Sequence, residues 1–187
     1  GPVPDLVGVR RGEAGPVGLL AVVDVAQVAG GVTAVGEVGA ALDLVQDIRD
    51  EIRQVREYSS MWPRRPKVYF EEWPDPLVTG IRWVSEVIEI AGGRDIFPEL
   101  RERRAARERS VSADEVARRD PDIILASWCG KPVDLVAIAA RPGWQGVSAV
   151  KSGRIHEVDG ADILCPGPSV LVGLRRIHEL VQSSLEA

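Results

Sequence analysis

Residues 67–93, KVYFEEWPDPLVTGIRWVSEVIEIAGG, carry the clearest structural pattern of this chain. The apolar run VYF at 68–70 predicts a short strand, and the two prolines that follow predict an irregular loop over residues 71–80. Apolar residues then recur at helical spacing over 81–91, and the glycine pair at 92–93 predicts the end of that helix. In open α/β sheets, ligands bind beside loops at the carboxyl ends of strands. The loop at 71–80 is therefore the first candidate site.

The amphipathic segment before this stretch predicts a connecting helix. Over residues 38–58, apolar residues recur every three or four positions, with charged residues on the opposite face. Such a helix is about 30 Å long, which suits a spine between two lobes. Upstream, DLVGVR at 5–10 and LAVVDV at 20–25 predict short buried strands. We interpret residues 1–37 as a remnant of an amino-terminal α/β lobe and residues 38–62 as the linker helix.

The rest of the chain, residues 63–187, alternates predicted strands and helices. IILA at 123–126 and RIHEV at 154–158 predict the second and third strands. This alternation predicts a complete carboxyl-terminal α/β lobe of three layers with a mostly parallel sheet. Its further helices are predicted at 112–119, where SADE has the form of a capping box, at 133–140 and at 168–185.

Composition limits the classes of partner. The chain has 187 residues, 45% of them hydrophobic, and a net charge of −5, which argues against nucleic acid or an anionic membrane surface. No apolar run approaches the length of about 18 residues that a membrane span needs. No signal segment is present, but the chain begins with Gly1. A periplasmic or extracytoplasmic location after signal removal and a cytoplasmic location both stay open.

Two local features can be explained without a ligand or metal site. The arginines over residues 101–109 alternate with glutamates, and this predicts a solvated helical face rather than a binding patch. Cys129 and Cys165 are too few for a disulfide scaffold, and their spacing is not that of a zinc site. Since their loops should share one edge of the sheet, we predict a bridge between them or a pair of buried thiols.

Three loops leave the carboxyl ends of the predicted strands, at 71–80, 127–132 and 160–168. They carry Trp73 and Trp128 together with a few hydrogen-bonding groups, a mixture that suits a large, partly apolar small molecule. The alternative is that both tryptophans plug the ends of the core.

Catalysis finds less support than binding. Glu71 and Glu72 are adjacent, so on a strand they point to opposite faces and cannot act together on one substrate bond. We expect one of them to pair locally and the other to face solvent. Cys129 could serve as a nucleophile in an α/β enzyme, but His156 and His178 lie in a strand and a helix, with no Cys–His arrangement evident.

Several segments together resemble a known family. The stretch from KVYFEEWPDPLVTG to IEIAGGRDIF is followed by VSADEVARRDPDIILASWCGK, RPGW and GRIHEVDGADILCPGPSVLVGL. Over residues 38–187 the chain resembles the carboxyl lobe of cobalamin-binding substrate-binding proteins, in the periplasmic-binding-protein class of cobalamin and iron–siderophore ABC transporters. The resemblance implies two lobes joined by a long helix, with ligand held in the cleft between them. No catalytic cofactor is implied, and a cobalamin-like corrinoid is the expected ligand.

The resemblance also implies site residues. The expected ligand contacts are Trp73, Pro76, Leu77, Gly80, Arg82, Ser110, Trp128, Cys129, Lys131, Leu164 and Pro166. By the same resemblance, Asp114 or Glu115 would dock on basic residues of an ABC transporter permease. Only about 37 residues precede the linker helix, so most of the opposite wall is expected to be missing.

Three other interpretations stay open beside a cobalamin binder. A siderophore- or haem-binding relative is the first. Haem carries carboxylates, and the contact set offers them only Arg82 and Lys131, which favours a neutral ligand. A truncated fragment that binds nothing is the second, and an enzyme that uses Cys129 is the third.

Overall fold

The structure is a computed structural model that describes residues 35–165 and 167–186. Five strands form one sheet: β1 (Lys67–Pro74), β2 (Leu77–Thr79), β3 (Arg94–Asp95), β4 (Ile123–Ala126) and β5 (Ile155–Glu157). The helices are α1 (Val35–Ser60), α2 (Arg82–Ile90), α3 (Ala113–Arg119), α4 (Leu135–Ala139), α5 (Ser148–Lys151), α6 (Gly160–Ile163) and α7 (Val170–Ser183). Two 3₁₀ turns lie at Pro98–Leu100 and Ala106–Arg109.

The sheet is mixed but mostly parallel. Its order is β2-β1-β4-β5, and β3 pairs with the beginning of β1. The pairs β1–β3, β1–β4 and β4–β5 are parallel, whereas β1–β2 is antiparallel. The predicted α/β class and the mostly parallel sheet are therefore confirmed.

The segment after residue 70 is more regular than predicted. Strand β1 continues to Pro74 and pairs with β2 through Trp73 opposite Val78 and Pro74 opposite Leu77. A proline is tolerated there because it lies at the end of a strand, where the ladder needs no further N–H donor. The peptide bond between Asp75 and Pro76 is cis. The expectation of an irregular loop over 71–80 was wrong, because these residues form a β-hairpin.

Alternation along β1 separates two cores. Val68 and Phe70 face a cluster built with α1, α2 and α7, whereas Tyr69 faces a second cluster that includes Val116 of α3 and Ile138 of α4. Successive strand side chains point to opposite faces, so one strand supplies both cores. The result is a sheet with helices on both faces.

Helix α1 fits the predicted linker. Its buried residues Val45, Ile48 and Ile52 follow helical spacing and pack in the first core. An exposed ion pair joins Glu51 of α1 to Arg175 of α7, with Nη2 of the arginine 2.6 Å from Oε2. The 26-residue helix is about 39 Å long, somewhat longer than the sequence predicted.

Helix α3 begins and ends as its sequence predicts. Ser112 is the N-cap, and its Oγ accepts a hydrogen bond of 3.1 Å from the backbone N–H of Glu115. Asp120 ends the helix in the left-handed conformation, with φ of 50°.

The strands predicted at 5–10 and 20–25 lie outside the described residues, and the predicted domain boundaries stay predictions. Among the helices of the described residues, none has the length and apolar character that a membrane crossing requires.

Candidate functional site

The sheet register brings the first two loops side by side. Glu71 of β1 pairs with Ala126 of β4, and the N–H of Ser127 donates to the carbonyl oxygen of Glu71 at 3.0 Å. On the other side of β4, the N–H of Val158 donates to the carbonyl oxygen of Ala126 at 2.9 Å. All three loops therefore leave the same edge of the sheet, which we call the carboxyl edge.

The hairpin presents only part of its predicted contact set. Trp73 is half-buried, and its Nε1 donates to the carbonyl oxygen of Asp75 at 3.0 Å. Pro76 is exposed beside it. Leu77 is 8% exposed and packs in the second core, and Gly80 is buried against Phe70 and Val84. Leu77 and Gly80 therefore lie beneath the surface of this edge.

The second loop turns tightly after β4. The N–H of Lys131 donates to the carbonyl oxygen of Trp128 at 3.0 Å, and Gly130 between them has φ of 71°. Glycine adopts this left-handed conformation without a steric penalty. Trp128 is half-buried, whereas Cys129 and Lys131 are exposed.

Lys131 links the second loop to the hairpin. Its Nζ lies 4.5 Å from the centroid of the Trp73 ring, a cation–π contact. The structure thus brings together Trp73, Trp128 and Lys131, which the sequence placed in two separate loops.

The remaining predicted contacts lie around this group. Leu164 is half-buried in the third loop, and Pro166 lies outside the described residues. Ser110 is exposed and forms an isolated antiparallel bridge with Val78 of β2. Arg82 begins α2, and its guanidinium lies 3.0 Å from carboxylate oxygens of both Glu86 and Glu102.

The cysteines do not behave as predicted. Cys129 and Cys165 are both free and exposed, so the expectation of a bridge or of buried thiols was wrong. Cys129 follows the buried strand β4, and Cys165 follows the short helix α6.

Glu71 is buried under the second loop. The side chain is fully buried and accepts hydrogen bonds from Arg141 at 2.7 and 3.1 Å and from Trp128 Nε1 at 3.2 Å. The carboxylate thus anchors the Nε1 edge of the Trp128 ring.

Tyr69 lies two residues before Glu71 on the same strand. Burial, with a further contribution from the negative charge of Glu71, holds the pKa of Tyr69 well above its usual value.

Glu72 anchors the hairpin through a separate set of partners. Its carboxylate accepts from Arg109 at 2.7 and 2.9 Å and from the N–H of Ile81 at 3.0 Å. Arg109 is 2% exposed and also donates to the carbonyl oxygen of Thr79.

The two glutamates correct two expectations. They have separate partners, Arg141 for Glu71 and Arg109 for Glu72, and the pairing with β2 shifts register between Glu71 and Trp73, so their predicted opposite faces stay a prediction. Neither faces solvent, because each pairs with an arginine. The arginines over 101–109 are not all on a solvated face, since Arg109 is a buried partner. A charged residue inside a buried strand signals a need for a counter-ion. With so many arginines in the chain, that signal could not identify Arg109 or Arg141.

The two candidates for docking on a permease differ in their surroundings. Asp114 is exposed in the first turn of α3. Glu115 forms ion pairs with Arg118 and Arg119, at 2.6 Å for the second. The carboxylate of Asp114 is therefore the more accessible of the two.

Solved structures share this fold at low sequence identity. A possible iron-binding periplasmic solute-binding protein of Staphylococcus epidermidis is 20% identical, with a TM-score of 0.71 over 88% of this chain and 62% of that chain. The periplasmic vitamin B12 binding protein BtuF of Vibrio cholerae is 19% identical, with a TM-score of 0.69 over 91% and 64%. The periplasmic heme-binding protein RhuT of Roseiflexus is 20% identical, with a TM-score of 0.68 over 86% and 61%.

These likenesses establish the fold, and the chain spans 61–64% of the length of the three structures. No curated protein matches the chain. The family model described as periplasmic binding protein matches residues 25–161, which is most of the chain. The chain belongs to the periplasmic binding protein family.

Proposed function

We propose that the carboxyl edge of this lobe is one wall of a cleft that binds a cobalamin-like corrinoid without covalent chemistry. The chain would serve as the substrate-binding component of an ABC-type uptake system. The observation that carries the proposal is the grouping of Trp73, Trp128 and Lys131 on one edge, all at least partly exposed. Flat apolar surfaces with a few hydrogen-bond donors are typical of sites for large, partly apolar ligands.

The proposed roles follow the exposure of each residue. Trp73 and Trp128 would cover apolar surfaces of the corrinoid, and Lys131 would donate to its amide oxygens. Pro76, Cys129 and Leu164 would complete the apolar wall, with Ser110 and Arg82 at its borders. Pro166, outside the described residues, is proposed as a further contact by the resemblance alone. Leu77 and Gly80, which are buried, would act by shaping the hairpin rather than by contact.

The charges beneath this edge support a ligand without net negative charge. Arg141 is neutralised by Glu71, and Arg109 is neutralised by Glu72. Arg82 pairs with Glu86 and Glu102. Because paired guanidinium groups offer little attraction to a ligand carboxylate, the side-chain amides of a corrinoid are better matched than the propionates of haem.

One observation favours a second candidate. Arg103, Arg104 and Arg107 are exposed in the segment that leads to Ser110. Cations in that position would attract an anionic ligand, so a haem or a ferric siderophore is the alternative. The remaining alternative is that the chain binds none of these ligands.

The proposed setting follows from the family. Binding proteins of this kind present a ligand to a permease, and the exposed carboxylate of Asp114 would meet basic residues there. The corresponding location is periplasmic or otherwise extracytoplasmic. No bond is made or broken in this function, so no catalytic residue is assigned.

Titration with cyanocobalamin, haemin and a ferric hydroxamate tests the proposal. Binding is followed by tryptophan fluorescence and, because these ligands absorb light, by calorimetry. We expect cyanocobalamin to bind and Trp128→Ala to weaken that binding about 30-fold, as for a buried aromatic contact worth about 2 kcal/mol.

Trp62→Phe is the matched control, since Trp62 packs against His178 far from this edge. It should leave the affinity unchanged. Preferential binding of haemin or the hydroxamate would favour the second candidate, and no binding of any of the three ligands would overturn the proposal.

A further inference from the structure

We infer that Glu71 is a positioning residue that fixes the orientation of the Trp128 ring. The fully buried carboxylate oxygen Oε1 accepts from Trp128 Nε1 at 3.2 Å and from Arg141 Nη2 at 3.1 Å. The second oxygen accepts from Arg141 Nη1 at 2.7 Å. The same oxygen thus holds both the ring and the guanidinium, and neither can turn without breaking a bond in a site that water does not reach.

Arg141 is itself held in place. Its guanidinium carbon lies 4.2 Å from the centroid of the Trp144 ring. Trp144 is fully buried, and its Nε1 donates to the carbonyl oxygen of Ala113 at 3.0 Å. A buried tryptophan therefore fixes the plane of Arg141, and the two parallel hydrogen bonds fix the plane of the carboxylate. Glu71 offers Trp128 an acceptor that does not move.

Trp128 needs such an acceptor because its loop restrains it weakly. The turn that follows it contains Gly130, and the neighbouring side chains Cys129 and Lys131 are exposed. The half-buried ring packs against the second core, but apolar packing is not directional, whereas the bond to Glu71 holds the ring Nε1 at one position. That bond selects one rotamer and leaves part of the indole exposed.

The inference deepens the proposed function and rests on it in one respect, namely that Trp128 contacts the ligand. A ring that is already ordered loses less rotamer freedom when the ligand binds. Without Glu71, the ligand would have to order the ring itself. We expect Glu71→Gln to weaken cyanocobalamin binding about 3- to 10-fold.

The first experiment needs no ligand. The protein is labelled with 5-fluorotryptophan, and the fluorine resonance of Trp128 is assigned with Trp128→Phe. In Glu71→Gln we expect that resonance to shift or broaden while those of Trp62 and Trp83 stay in place. Glu72→Gln is the matched control, because it weakens the neighbouring ion pair with Arg109 without touching Trp128. An unchanged Trp128 resonance in folded Glu71→Gln would overturn the inference.

The second experiment is a double-mutant cycle in cyanocobalamin affinity. If Glu71 acts through Trp128, Glu71→Gln loses affinity in the wild-type background and loses none in Trp128→Phe. Equal losses in both backgrounds would mean that Glu71 acts on the whole lobe, and the inference would fail. If the wild-type protein binds no ligand, the proposed function fails, and the fluorine spectra still decide the positioning role.

Arg141→Lys keeps the test decisive if Glu71→Gln does not fold. Lysine retains the charge that the buried carboxylate requires but loses the bidentate geometry. We expect the Trp128 resonance to shift in the same direction or to broaden. A spectrum identical to the wild type in folded Arg141→Lys would count against the role of the Arg141–Glu71 pair.

Discussion

The two ends of the sheet are held in different ways. At the amino edge, where β1 and β3 begin, Gly92 follows the end of α2 and packs against Trp62, which follows α1. At the carboxyl edge, the loops rest on Glu71 and Glu72 with their arginine partners. The contact of Gly92 with Trp62 is apolar and leaves no space for a further methyl group. The contacts at the carboxyl edge consist of directed hydrogen bonds beneath a surface that stays open. This contrast shows how the lobe can keep the Trp128 ring ordered and yet partly exposed, because a buried ion pair holds one edge of the ring and leaves part of it uncovered.

Breaking a buried ion pair of the carboxyl edge should have the largest effect on stability. Arg109→Met removes the arginine donors of the Glu72 carboxylate and of the Thr79 carbonyl oxygen, and it leaves the carboxylate with the N–H of Ile81 and no counter-ion. Removal of one partner of a buried pair costs about 3–5 kcal/mol of unfolding free energy. Urea denaturation followed by circular dichroism measures this loss.

Arg175→Met is the matched control for Arg109→Met. It breaks the pair between Arg175 and Glu51, in which the arginine side chain is 59% exposed. Exposed pairs contribute about 0–1 kcal/mol. Similar losses of unfolding free energy in the two variants would contradict the view that burial makes the carboxyl-edge pairs more stabilising than exposed pairs.

At the amino edge, the addition of one methyl group should destabilise the protein. Gly92 has φ of 95°, and a Cβ at that position would lie 2.3 Å from Trp62 Cζ3. Left-handed strain of about 1–2 kcal/mol and overpacking of about 1–3 kcal/mol both apply to Gly92→Ala. We expect a loss of about 2–5 kcal/mol in the free energy of unfolding.

Gly153→Ala separates strain from packing. Gly153 has φ of 66°, but a Cβ there would meet nothing within 4 Å. The variant should lose only the strain, about 1–2 kcal/mol. If thermal or urea unfolding gave the same loss for both variants, the close contact at Gly92 would contribute nothing to the change in unfolding free energy.

The helices on either side of this comparison could be predicted from the sequence, whereas the contacts that distinguish its two halves could not. Helix α1 and the N-cap at Ser112 are local patterns, readable from spacing within a few residues. The glycine pair after α2 is also a local signal for a helix end, although it does not predict the contact of Gly92 with Trp62. Each of these helix signals depends on neighbours in the chain.

The counter-ions depend on the tertiary fold. Arg141 is 70 residues from Glu71, and Arg109 is 37 residues from Glu72. Nothing in the spacing selects these arginines from the others. The continuation of β1 through Pro74 was missed for a related reason, because the pairing with β2 decides it and the proline's preference does not.

The smallest effect concerns a buried carboxyl that has neutral donors in place of an arginine. Asp95 of β3 accepts from Ser85 Oγ at 2.5 Å and from the N–H of Phe97 at 2.9 Å. Burial raises the pKa of Asp95 above its ordinary 3.8, although both hydrogen bonds act in the opposite direction. This amino-edge carboxyl is therefore harder to ionise in the folded protein than in the unfolded chain.

The sign of the pH dependence follows from that shift. Between pH 3.8 and the folded pKa of Asp95, the folded state binds more protons, so its stability falls as the pH rises. Asp95→Asn removes this fall, and its stability relative to the wild type should therefore improve from about pH 4 to pH 7. Ser85→Ala removes a bond that favours the ionised form, so its own fall should be larger than in the wild type. Ser60→Ala, at an exposed serine, should follow the wild-type curve, and urea midpoints across the pH series measure all four proteins. A stability difference between the wild type and Asp95→Asn that is flat with pH would mean that the hydrogen bonds from Ser85 and Phe97 offset the cost of burying the charged Asp95.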